Sequence, residues 1–293
     1  MRLVWSRVRY LWVLHIFNGL AVWSVVGNSL PLVAIMKYET LHKPVYILMA
    51  NLAASDIVTG VGVLITTSTT FVHAKAGVPV ATATVRLLFT CFFLSALSNA
   101  YSLLALTGER YCFLVHGMTY ENKVTTDRCK VVIIVIWLWS GILALLPVIG
   151  WSCAYPSQGG CLQLGGGSQP SYLVLILVLV YLPMAAIVVF NLRVSDIRQQ
   201  EAAVHAHPST SRKSAVTILI LTVSFLVGWL PYCTVMANEL GCREDCGNLD
   251  PAAIAFVVLN SAVNPVIYGF RLEEIRRSVK RLFVGRALET VHI

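Results

Sequence analysis

Seven apolar stretches, each long enough to cross a bilayer, dominate this chain. They lie near 11–36, 44–70, 82–113, 131–150, 171–196, 214–239 and 251–271. About 20 apolar residues in helical form span a hydrocarbon core of about 30 Å. Lipid offers no partner to an unpaired backbone amide, so each stretch must be an α-helix. The predicted fold is an all-α membrane protein, a seven-transmembrane helix bundle over residues 1–271. Composition agrees. Only 12% of the 293 residues are charged and 57% are hydrophobic, whereas soluble domains carry about 25% charged residues. Arg2, Arg7 and Arg9 could open a signal peptide, but the apolar run behind them continues to Met36 without a small-residue cleavage site. It reads as the first span.

Charge sets the orientation. With the N-terminus outside, sixteen of the 22 Lys and Arg fall in inner loops and the tail, and six fall outside. The positive-inside rule then places the C-terminus in the cytoplasm, as in a multi-pass plasma-membrane protein. The net charge of +8 sits in short loops between apolar runs. That pattern fits membrane topology, not a nucleic-acid-binding stripe. After the seventh span, residues 272–293 begin RLEEIRRSVKRLF from Arg271, with Leu272, Ile275, Val279, Leu282 and Phe283 at helical spacing among cations. This is a short amphipathic eighth helix on the inner leaflet, with membrane lipids as partners.

Polar residues inside spans are costly and mark function. Asn28 lies in the first span, Asp56 in the second, and Asn260, Ser261 and Asn264 in the seventh. A lone intramembrane Asn can simply bond a neighbouring helix, and a lone Pro can be only a kink. The order of the motifs is more specific. GN at Gly27, NLAASD ending at Asp56, ERY at Glu109–Tyr111, Trp137, Pro183, FLVGWLP from Phe225 and NPVIY at Asn264–Tyr268 follow one another along the chain. In that combination the sequence resembles the rhodopsin-like class of G-protein-coupled receptors. A retinal-binding protein would need a lysine in the seventh span, and 251–271 has none.

The resemblance implies roles. Asp56 with Asn28, Asn99, Asn260, Ser261 and Asn264 is similar to a sodium-binding polar core, with an allosteric sodium ion at Asp56. Glu109, Arg110 and Tyr111 are similar to the G-protein switch, with Tyr268 swinging inward. Asn191 stands where relatives often carry a partner tyrosine. Phe225, Trp229, Pro231 and Pro265 form the implied activation hinge. The inner end of the sixth span has Ser211 where some relatives place a second locking acid, which implies a weak lock and basal signalling. Implied partners are a heterotrimeric G protein, arrestin and a small agonist.

Most relatives tie the third span to the second outer loop by a disulfide, but the matching position here is Val85. The outer loops carry two close pairs instead, Cys153 with Cys161 and Cys242 with Cys246. They form either two intraloop bridges or four free thiols, in an oxidising compartment. This pattern, with PVYILMANLAASD, LLPVIGWSC and EEIRRSVKRLF, resembles the lysophospholipid receptors (sphingosine 1-phosphate and lysophosphatidic acid types) and their cannabinoid, adenosine and melanocortin neighbours. Pro183 and NLRVSDIRQ lean toward adenosine receptors.

The headgroup chemistry departs from that cluster. Lysophospholipid receptors place an arginine followed by Glu or Gln where this chain has Leu88 and Phe89. Arg86 is two residues away, and Lys75 lies in the preceding loop. Met236 occupies the purine-binding asparagine position. The candidate pocket is Leu88, Phe89, Phe92, Phe93, Trp229, Tyr232, Cys233 and Met236, an apolar lining that suits a lipid. The leading reading is a receptor for a lipid mediator. The alternative is an adenosine-like or orphan receptor with constitutive signalling. The seven histidines are scattered without metal-ligand spacing, and no catalytic set points to an enzyme.

Overall fold

A computed structural model describes residues 2–153, 161–162, 167–204, 210–241 and 251–289. It has helices α1 (Arg2–Lys37), α2 (Pro44–Ala76), α3 (Thr82–His116), a single turn α4 (Tyr120–Lys123), α5 (Thr126–Leu145), α6 (Pro170–Val204), α7 (Thr210–Gly241), α8 (Pro251–Arg271) and α9 (Glu273–Glu289). Among the described residues seven of these are long and apolar enough to cross a membrane: α1, α2, α3, α5, α6, α7 and α8. The bundle expected from the apolar pattern is the observed architecture. "Inner" below means the end that carries Arg110, and "outer" the opposite end.

Helix α3 is the central post, packed against α2, α5, α6 and α7. Its side chains Phe93, Ala96, Leu97, Ala100, Leu103 and Leu106 are buried in the main core. The lipid-facing side of α5 is apolar and open, with Val131, Ile134, Val135, Leu138 and Ile142 exposed. A helix apolar all round is what a bilayer solvates. Glycines set close helix approaches. A Cβ on Gly60 would lie 2.8 Å from Val25 Cγ2, where α2 meets α1. A Cβ on Gly228 would lie 2.6 Å from Asn260 Cβ, where α7 meets α8.

Proline removes one amide and so strands the carbonyl four residues earlier. In this bundle three such carbonyls are satisfied by side chains from another helix. Pro265 strands the Ser261 carbonyl, and Asn28 Nδ2 of α1 donates to it at 3.0 Å. Pro183 strands Leu179, and the Tyr101 hydroxyl of α3 donates to that carbonyl at 3.1 Å. Pro147, just beyond α5, strands Leu143, and the Tyr172 hydroxyl of α6 donates there at 3.3 Å. The kinks are thereby cross-linked to neighbouring helices.

The fourth span sits earlier than the expected 131–150. Thr125 caps α5 by accepting from the Arg128 amide, so the helix starts inside the polar segment TDRCK. At its other end Leu146–Gly150 are turns that feed the outer loop. The tail helix α9 packs on α1 and α8, with Leu272 and Ile275 buried. The Tyr46 hydroxyl of α2 donates to Glu274 Oε2 at 2.7 Å and fastens it. Phe283 is 60% exposed, as an apolar side chain directed at the inner leaflet would be. The bundle contact is taken up by Leu272, Ile275, Val279 and Leu282.

Candidate functional site

The inner end of α3 carries the first cluster. Glu109 and Arg110 are both buried, with Arg110 Nε 3.2 Å from Glu109 Oε2. A buried carboxylate needs several partners to offset lost hydration. The second partner is one that the motif does not contain: the Tyr120 hydroxyl donates to Glu109 Oε1. Gly117, at a φ of 42°, turns the chain after α3 so that α4 can bring Tyr120 back beneath Glu109. Burial, and then the negative charge of Glu109, push the Tyr120 hydroxyl well above its ordinary pKa. It therefore stays a donor. The Arg110 guanidinium also lies 5.4 Å over the Phe113 ring. Tyr111 points away from this pair and stacks near Phe190 of α6, at 5.3 Å. It borders an open cleft of about 760 Å³ that is also lined by Arg193, Asp196 and Gln200.

The second cluster is the polar core. Asp56 is fully buried. Its Oδ1 accepts from Asn99 Nδ2 at 2.7 Å and its Oδ2 from Asn264 Nδ2 at 2.6 Å. The Ser24 hydroxyl donates to the Asp56 carbonyl at 3.2 Å, and Asn28 bridges α1 to α8 through Ser261. Around Asp56 the Asn260 and Asn264 side-chain oxygens and the Tyr268 hydroxyl are buried without a hydrogen-bonding partner. Of the expected core residues, Asn260 alone makes no hydrogen bond that links it to the rest. Toward the inner end, Trp137 Nε1 donates to Asn51 Oδ1 at 2.7 Å, and Asn51 donates to Ser102 at 2.6 Å. These bonds join α5, α2 and α3. Asn191, standing where a tyrosine is common, donates to the Thr222 hydroxyl of α7 at 3.1 Å.

The third cluster is aromatic and lies toward the outer end. Phe92 meets Trp229 at 5.5 Å and Tyr232 at 4.8 Å between ring centroids. Phe93 meets Phe89 edge-on at 4.9 Å and Tyr172 at 6.0 Å. Cys233 and Met236 are buried beside them in the same core, while Phe89 is half-buried. Phe225, one turn below Trp229, packs its ring 6.3 Å from it. Leu88 is half-buried at the rim. Sequence reasoning missed Tyr172, which closes the cluster from α6. Its only advance signal was an aromatic residue near the start of a span.

Above the cluster, Cys153 and Cys161 form the first of the two expected intraloop disulfides, with Cα atoms 6.3 Å apart. Cys242 and Cys246 lie outside the described residues. Arg86 donates from its guanidinium to the Cys153 carbonyl. It thus ties the top of α3 to the outer loop, the mechanical role that the missing cysteine at Val85 would otherwise serve. Glu239, which no motif flagged, is buried at the outer end of α7.

Three clusters strung along α3, a polar core and a switch at one end with an aromatic chamber at the other, are the anatomy of a ligand-operated helix bundle. Comparison with known proteins agrees. Residues 27–268 match the family model described as 7 transmembrane receptor (rhodopsin family). The chain is 27% identical over 271 residues to G-protein coupled receptor 6 of Rattus norvegicus, covering 88% of this chain and 71% of the relative. It is 28% identical to sphingosine 1-phosphate receptor 4 of Mus musculus, over 87% of this chain and 67% of the relative. It is 27% identical to lysophosphatidic acid receptor 3 of Homo sapiens, over 95% and 80%. The chain belongs to the rhodopsin family of seven-transmembrane receptors.

Proposed function

We propose that this receptor carries an extracellular lipid signal across the plasma membrane to a heterotrimeric G protein. Its N-terminus faces outward and its tail helix lies on the inner leaflet. The observation that carries the reading is the aromatic chamber around Trp229 on the same post, α3, that ends in Glu109 and Arg110. A ligand pressing on Phe92 and Trp229 shifts α7 against α3, and α7 is the helix kinked by Pro231. The inner end then opens, Arg110 leaves Glu109, and a G-protein segment takes its place. Arrestin would use the same opening.

Asp56 and its neighbours fit a sodium ion. One carboxylate surrounded by neutral oxygens that lack partners suits a monovalent cation. Among the described residues no three or more His, Cys, Asp or Glu gather in a way that would hold a metal ion. Asp56, Ser261, Asn260 and Asn264 would hold the ion and favour the resting packing of α8 on α2.

The apolar lining, and the relatives named for sphingosine 1-phosphate and lysophosphatidic acid, favour a lipid over a nucleoside. Met236 is buried where a purine-binding asparagine would be needed. Screening lysophospholipids, acyl amides, nucleosides and peptides in cells carrying a cAMP reporter tests this. A response to lipids alone is expected. A response confined to nucleosides or peptides would overturn it.

A further inference from the structure

The aromatic chamber holds two unmet hydrogen-bond donors. Tyr232 is 3% exposed and Trp229 1% exposed. The Tyr232 hydroxyl and Trp229 Nε1 are both buried without a partner. Their rings are neighbours, edge to face, with centroids 6.1 Å apart. Phe92 of α3 lies against both, 5.5 Å from Trp229 and 4.8 Å from Tyr232. A buried donor left unsatisfied loses its bond to water and gains nothing in return. Indole can only donate. Two such groups on adjoining rings of α7 point to an acceptor brought by a ligand.

The depth of these donors narrows the chemistry. Helix α7 ends at Gly241. At 1.5 Å per residue Tyr232 lies about 14 Å and Trp229 about 18 Å below that end. On α3, Phe92 stands one turn deeper than Leu88 at the rim. A lipid held with its headgroup at the rim therefore places acyl chain at this level, whatever charge the headgroup carries. The surroundings there are rings: Phe92, and Phe225 at 6.3 Å from Trp229. A whole headgroup in that layer would leave several of its polar atoms unpaired among phenyl rings. A plain alkyl chain would pack well and leave both donors unmet. One ketone or epoxide oxygen within the chain loses little hydration, accepts from these donors and has no hydrogen of its own to place.

We infer that the ligand is a long-chain lipid with an accepting oxygen part-way along its chain, a ketone or an epoxide, and that the Tyr232 hydroxyl donates to it beside Trp229. This rests on the lipid-receptor reading and adds to it the placement of one oxygen. Tyr232 is then the residue that selects an oxygenated chain over a plain one, and the surrounding rings supply apolar contact.

The test uses the full-length receptor in phosphatidylcholine nanodiscs and two headgroups, octadecanoyl glycerol and octadecanoyl lysophosphatidic acid. Each is offered with a plain chain and with a keto group at successive positions along it. Half-maximal concentration for G-protein nucleotide exchange and shift in melting temperature are read for each. With whichever headgroup acts, one keto position is expected to lower the half-maximal concentration about tenfold below that of the plain chain, the worth of one buried hydrogen bond. Keto groups nearer either end of the chain should give no gain. In Tyr232→Phe the favoured keto lipid should fall to the potency of the plain chain measured in the same variant. The positional profile on the unmutated receptor decides the matter even if the variant folds poorly. No keto position better than the plain chain overturns the inference and leaves the lipid-receptor reading standing. So does a keto advantage that survives intact in Tyr232→Phe. Inactivity of every lipid overturns both.

Discussion

The hydroxyl of Tyr120 donates a hydrogen bond to Glu109, eleven residues back along the chain, across the turn that joins α3 to α4. The bond holds a carboxylate that also faces Arg110. The motif Glu-Arg-Tyr alone implied a weak resting lock, because Ser211 stands where a second acid is sometimes found. Tyr120 restrains the pair from the opposite side. Tyr120→Phe should therefore raise ligand-independent nucleotide exchange by up to about tenfold, on the order of 1.4 kcal/mol for a bond to a charged group. Equal basal rates in the two proteins would show that the bond restrains nothing.

The same bond has a pH signature. The Tyr120 pKa is raised in the folded protein, first by burial and then by Glu109. A group raised in this way stabilises the fold below its unfolded value, about 10 for tyrosine, and loses that contribution as pH climbs toward the folded value. The melting-temperature difference between the unmutated receptor and Tyr120→Phe should stay constant from pH 7 to 9.5 and shrink only at higher pH. A difference that vanished between pH 7 and 8 would point to another group.

Tyr101 should contribute to stability through Pro183. Tyr101→Phe leaves the Leu179 carbonyl without a donor and is expected to cost about 1–2 kcal/mol. Pro183→Ala restores an amide that can reach that carbonyl. In the Pro183→Ala background, removing the Tyr101 hydroxyl should then cost clearly less. A double-mutant cycle on thermal stability measures the coupling. Additive effects would mean that the hydroxyl and the proline act independently.

Sodium should matter through Asp56. Replacing N-methylglucamine chloride with sodium chloride at constant ionic strength is expected to raise the melting temperature and lower basal exchange, and Asp56→Asn should abolish both responses. An identical response in Asp56→Asn would place the ion elsewhere.

The bundle itself was legible because bilayer thickness dictates span length, and the polar core because charged and amide groups stand out in apolar runs. Asp56, Asn99 and Asn264 converge as the motif order implied. What was not legible depends on tertiary reach. Tyr120, Tyr101 and Tyr172 are ordinary aromatic residues in sequence, and only packing turns their hydroxyls toward Glu109, Leu179 and Leu143. Arg86 stood two residues from the matching headgroup position, and its guanidinium bonds a loop carbonyl that periodicity could not locate. The end of α5 shifted because a cap at Thr125 outweighed hydropathy at the polar boundary. Glu239 was hidden because a single acid near a span end looks like a surface residue.

The central claim is that ligand pressure at Trp229 is converted into release of Arg110 toward a G protein. Its most direct measurement is nucleotide exchange on purified heterotrimeric G proteins of each class, with the full-length receptor in nanodiscs, alongside Arg110→Ala. The account predicts stimulation by the receptor of at least one class, increased further by an active lipid and lost in Arg110→Ala. No stimulation of any class, with or without lipid, or full stimulation by Arg110→Ala, would contradict it.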